Sequence, residues 1–189
     1  MYKFKLLAIT AIAIIGALLI YNHFDNIRQE EPVVDKFINE YNLVNENHIF
    51  KYKTIDEILD ILDSGTGFIF LCTPDSSWCN YYAKNLNDIL KDLNIEEINY
   101  YNIKSDRELN TLKYQKILDK LSPYLYKDDE NNSKLYMPDL TVVKDGEIIA
   151  HDNETSVIES DKTEESYWTQ EKINEFKNKL YGYVNLLNN

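Results

Sequence analysis

The chain has 189 residues, 28% of them charged and 44% hydrophobic, which is enough for one domain with a substantial core and something extra. Its 32 Asp and Glu against 20 Lys and Arg give a net charge of −12. That balance argues against nucleic acid as a partner, because neutralising phosphates needs a surplus of cations.

The amino end stands apart. Lys3 and Lys5 precede an uncharged run, LLAITAIAIIGALLIY, at 6–21. As a helix this run reaches about 24 Å against a hydrocarbon core of roughly 30 Å, and Phe4 and Phe24 extend its apolar ends. The two lysines in front, against Asp25, Glu30 and Glu31 with only Arg28 behind, predict a cytoplasmic amino end and an exported body. No small-x-small cleavage pattern follows the run, and no cysteine lies near it for lipid attachment. Residues 1–24 are therefore expected to be an uncleaved signal anchor, a single transmembrane helix, with 25–32 a polar tether and 33–189 the extracytoplasmic domain. A cleaved signal peptide that leaves a secreted domain is the competing reading. Either way the domain is expected where disulfides persist.

Val34, Phe37, Ile38 and Tyr41 recur at helical spacing, and residues 48–53 alternate as a strand does. Thr54 and Glu57 form a capping box for a helix that presents Ile55, Ile58, Leu59 and Leu62 on one face and stops at Gly65. The nearly continuous apolar GFIFLC predicts a strand covered on both faces, hence a central one. A helix over about 76–93, a strand at 98–103 and a helix facing Leu109, Leu112, Ile117 and Leu121 inward follow. DDENNS at 128–133 is expected to be a polar loop. LTVV, KDGE and IIAH make a hairpin with Asp145 and Gly146 in the left-handed turn positions. After a polar connection, a last helix carries Ile173, Phe176, Leu180, Val184 and Leu187 inward. This order predicts an α/β fold, a central mixed sheet flanked by helices.

The element order, with IFLCTPDSSWC at one point and YMPDLTVVKDGEII at another, resembles the thioredoxin-like superfamily, over about residues 49–187. The nearest resemblance is to small exported or membrane-tethered thioredoxin-like proteins of Gram-positive bacteria, some of them linked to bacteriocin export. The resemblance implies a thioredoxin-like fold, with Met137-Pro138 as a cis bond beside the motif, able to pair with an extended peptide. Pro138 beginning an ordinary strand is the plainer alternative.

Two registers fit the motif. Ser76-Ser77-Trp78-Cys79 can occupy the Cys-x-x-Cys position, or Trp78-Cys79 can match the family's Trp-Cys with Tyr82 at the second cysteine. Cys79, Tyr82, Ala83, Leu86, Leu90 and Leu93 fall at steps of three and four, so Cys79 belongs to the inward stripe of its helix, where the family keeps its shielded sulfur. In that register the exposed attacking position is Ser76. A helix amino terminus acidifies a thiol to a thiolate near neutral pH, but a hydroxyl gains far too little there to attack a disulfide. Asp75, Ser76 or Ser77 instead suits the helix cap, a role worth about 1 kcal/mol. Phe70 also stands where many members carry a buried acid for proton transfer. Both departures point away from efficient catalysis.

Cys72 lies seven residues before Cys79. A bond between them would contribute roughly 2.5 kcal/mol by chain entropy. Two buried thiols acting as small apolar residues are the alternative, and geometry decides between them. His23, His48 and His151 lack ligand spacing, and the acids form no metal signature, so neither metal nor cofactor is expected.

The expected function is a membrane-tethered, extracytoplasmic thioredoxin-fold protein with a degenerate Ser-x-x-Cys site. It would bind or assist exported proteins or peptides, with Trp78, Met137 and Pro138 as the docking residues. The alternative is a working thiol-disulfide oxidoreductase that uses Cys79, with or without Cys72.

Overall fold

The computed structural model describes residues 36–153 and 162–189. The expected anchor and tether, 1–24 and 25–32, lie outside the described residues. Among the described residues no helix is long and apolar enough to cross a membrane.

Five strands form a mixed sheet: β1 (Phe50–Tyr52), β2 (Gly67–Cys72), β3 (Ile98–Asn102), β6 (Asp139–Lys144) and β7 (Glu147–Asp152), in the order β1-β3-β2-β6-β7. β1 and β2 run parallel to β3, whereas β6 is antiparallel to β2 and to β7. The apolar run of β2 accordingly takes the central place, buried from Phe68 to Cys72. Its alternate residues feed two separate cores. Phe68, Phe70 and Cys72 face a layer built from α1 (Lys36–Glu40), α3 (Ser77–Asp92) and α7 (Gln170–Asn188). Ile69 and Leu71 face α2 (Ile55–Ser64) and α5 (Leu112–Leu121). The fold is α/β, with helices on both faces of the sheet.

Local signals explain where several elements begin and end. Thr54 Oγ1 accepts the Glu57 amide at 3.3 Å while the Glu57 carboxylate accepts the Thr54 amide at 2.6 Å, completing the capping box of α2. Those hydrogen bonds hold the Glu57 carboxyl below its ordinary range. At the other end of α2 Gly65 is required, since a Cβ there would lie 2.7 Å from Ile61 Cα. The β6–β7 turn uses Asp145 at φ 51° and Gly146 at φ 80°, the left-handed pair that suits a two-residue hairpin. The turn also docks on α2, where the Gly146 amide donates to the Gly65 carbonyl at 2.9 Å.

The inward helix expected to hold Leu109, Leu112, Ile117 and Leu121 is two helices, α4 (Lys104–Glu108) and α5. Asn110 breaks the chain at φ 46°, and Thr111 caps α5 by accepting the Tyr114 amide at 3.2 Å. The break resets the phase, so Tyr114, Ile117 and Leu121 point inward, while Leu109 and Leu112 are 73% and 77% exposed. The polar loop at 128–133 is flanked by a two-stranded ladder of β4 (Tyr126–Lys127) and β5 (Ser133–Lys134). Asp128 pins its turn by accepting the amides of Glu130 and Asn132 at 3.0 and 2.8 Å. The polar connection before α7 holds a short helix, α6 (Glu164–Tyr167), capped by Thr163.

Candidate functional site

The residues singled out in the sequence gather where β2 ends and α3 begins. Ser76 is the N-cap of α3, its Oγ accepting the Cys79 amide at 3.3 Å. Three residues of helix then carry Cys79 to the inward face, next to Tyr82 and Ala83 on the same buried stripe. Cys72 ends the strand on the face that meets this stripe, and the two sulfurs form a disulfide across a Cα–Cα distance of 6.0 Å. Both cysteines are 0% exposed. The Thr73 amide donates to Cys79 Sγ at 3.5 Å, so the bond is covered by the chain that leaves β2.

Beside this corner lies a cleft of about 460 Å³ lined by Thr73, Asp75, Ser76, Lys104, Arg107, Glu108 and Met137. The Met137-Pro138 bond is cis, as the resemblance implies. Met137 is half-buried on the cleft, and Pro138 is buried behind it at the start of β6. Lys104, at the start of α4, forms an ion pair with Asp75 across the opening, which raises the Lys104 pKa. Trp78 does not line the cleft. Its ring meets Tyr167 of α6 edge-on at 5.7 Å, and neighbouring Ser77 donates to the Glu164 carboxylate of the same short helix. Of the expected site residues, then, Ser76 and Met137 border one cavity, Cys72 and Cys79 sit sealed behind it, and Trp78 turns toward α6.

Two features escaped the sequence. Lys104 and Arg107 reach the cleft because α4 immediately follows β3, the parallel neighbour of β2, and nothing in their own spacing marks that arrangement. The other is a pair of buried polar clusters on the β6–β7 hairpin. Asp139, 0% exposed, contacts His151 Nε2 at 2.8 Å and accepts from Thr141 Oγ1 at 3.2 Å. Burial pushes the Asp139 carboxyl up, against the opposing pull of His151. Asp152 accepts from Tyr82 at 2.6 Å and from Lys179 at 2.9 Å. Burial first, and then the Asp152 charge, raise the Tyr82 hydroxyl well above its ordinary value. A buried carboxylate needs such partners, and here they fasten the hairpin to α3 and α7.

Among the described residues no group of His, Cys, Asp or Glu is arranged to hold a metal ion. Comparison of the chain with protein-family models gives no match, and comparison with curated proteins gives none either. Chemically, the corner offers a hydroxyl already engaged as a helix cap, a covered disulfide and an open, mixed-charge cleft.

Proposed function

We propose that this protein is a thioredoxin-like domain, tethered to the outer side of a cytoplasmic membrane, that binds extended segments of exported proteins without exchanging thiols with them. The observation that carries the reading is the placement of both sulfurs. Cys72 and Cys79 are 0% exposed and joined to each other, while the rim position is an alcohol. Thiol exchange proceeds by attack of a thiolate on a reachable sulfur, and neither partner of that reaction is offered at the surface. What remains open is the cleft, with Met137, the residue before the cis proline, at its wall. Backbone beside a sheet is a surface on which an extended peptide gains hydrogen bonds without sequence-specific chemistry. The covered disulfide suits a compartment outside the cytoplasm, and the apolar run at 6–21 supports the tether.

The test joins two measurements on the full-length protein. In an insulin-reduction assay with dithiothreitol, the rate is expected to equal that of dithiothreitol alone. With p-benzoylphenylalanine in place of Met137, illumination is expected to crosslink an unfolded exported protein, whereas the same group in place of Lys113 yields no crosslink. Turnover at the rate of an ordinary thioredoxin would overturn the reading. So would the absence of any crosslink at Met137.

A further inference from the structure

We infer that the segment held in this cleft presents a carboxylate, from an Asp or Glu side chain or from a chain terminus, and that Arg107 receives it. The inference rests on the reading of the cleft as a peptide site. Four charged side chains line it: Asp75, Lys104, Arg107 and Glu108. Asp75 and Lys104 satisfy each other. The Arg107 guanidinium makes no hydrogen bond or ion pair among the described residues, so its planar fork of donors is open toward the cavity it lines. A guanidinium fork matches a carboxylate with two parallel hydrogen bonds, which an ammonium does not.

Two further donors belong to the same wall. Thr73 is only 7% exposed, lines the cleft, and its Oγ1 has no hydrogen-bond partner. A buried hydroxyl left in that state is costly, and a carboxylate oxygen within its reach would satisfy it. Ser76 places the amino terminus of α3, a helix of 16 residues, at the same cavity. Its dipole favours negative charge there. Guanidinium, hydroxyl and helix terminus thus converge from three different elements on one volume. Glu108 opposes them, and its own carboxylate sets a limit on the affinity. A cationic side chain finds only Glu108, because the Asp75 carboxylate is already engaged by Lys104, and neither the hydroxyl nor the helix terminus assists it.

The experiment measures fluorescence polarisation of dye-labelled ten-residue peptides against the full-length protein in detergent micelles. The peptides differ only in a central Asp, Asn or Lys, each with a free or an amidated carboxyl end. The Asp peptide is expected to bind about fivefold more tightly than the Asn peptide, the usual scale of a charge-assisted pair at a partly open site. Arg107→Gln is expected to erase that difference. Glu108→Gln should widen it, and Lys113→Gln, outside the cleft, should leave it as it is. A preference that follows the free carboxyl end and vanishes in Arg107→Gln also supports the inference and assigns the carboxylate to a terminus. Equal binding of all peptides overturns the inference and leaves the peptide site standing. An acidic preference that survives Arg107→Gln overturns the role of Arg107, and binding of no peptide overturns both readings.

Discussion

Ser76 Oγ accepts the backbone amide of Cys79 at 3.3 Å, so the alcohol at the rim and the sulfur beneath it are tied together by the first turn of α3. The hydroxyl therefore has a structural use that a methyl group cannot replace. Ser76→Ala is expected to cost about 1 kcal/mol of unfolding free energy, as loss of an N-cap usually does. Urea denaturation followed by circular dichroism checks it, and no change in midpoint would contradict the capping role.

Ser76→Cys exchanges the cap for a thiol at the positive end of a helix. That thiol is expected to react with iodoacetamide near neutral pH, because the dipole and unpaired amides stabilise a thiolate. The parent protein, whose two cysteines are covered and joined, should take up label only after reduction and unfolding. Mass spectrometry of the native, labelled protein distinguishes the two. Labelling of Cys79 in the folded parent would show that the sulfur is reachable.

Reducing the Cys72–Cys79 bond releases a loop with a sequence separation of 7. By the chain-entropy argument the loss is about 2.5 kcal/mol. Thermal melts with and without a phosphine reductant, with the Cys72→Ala/Cys79→Ala double variant beside them, measure it.

Leu121 is fully buried in the α2–α5 core, whereas Leu112, nine residues earlier, is 77% exposed. Leu121→Ala is expected to cost about 2–5 kcal/mol and Leu112→Ala less than about 0.5 kcal/mol. Equal losses at the two positions would restore the single inward helix that the spacing suggested.

Asp139 and Asp128 should respond to pH in opposite senses. Burial raises the Asp139 pKa above its ordinary 3.8, so the folded protein holds this proton more tightly than the unfolded chain does. Between the ordinary and the raised value, stability from this group falls as pH rises. Asp139→Asn removes that loss, and its stability relative to the parent is expected to climb as pH rises from below 3.8 through this window. Asp128 is lowered, first by the Asn132 amide. Its contribution is present above its ordinary pKa and fades as pH falls through the lowered one, so Asp128→Asn should lose ground to the parent as pH rises. Chemical denaturation of both variants between pH 3 and 8 reads the two slopes, and slopes of the same sign would refute the assignment.

The hairpin turn offers a steric check. A Cβ on Gly146 would sit 2.3 Å from the Asp63 carbonyl oxygen, at a φ of 80° that side chains avoid. Gly146→Ala is expected to destabilise by more than about 1 kcal/mol. A calorimetric melting temperature equal to the parent's would sink this account of the β6–β7 contact with α2.

Features that depend on a few neighbouring residues were legible in the sequence. The Thr54–Glu57 capping box, the left-handed pair Asp145-Gly146, the central place of GFIFLC and the inward turn of Cys79 all follow from hydrogen bonds or periodicities that span one turn or one strand. Tertiary structure decided what required distant chain segments to meet. It directed the Cys72 and Cys79 sulfurs toward each other, joined Asp139 to His151 across two strands, and brought Met137 to the cavity of Thr73 and Arg107. It also placed Asn110 in a left-handed conformation that turned Leu109 and Leu112 outward. The physical reason is one of range: caps and turns are settled by local sterics and hydrogen bonding, whereas a cleft, a disulfide and a buried polar pair exist only where packing fixes the separation and direction of groups that the chain itself leaves independent.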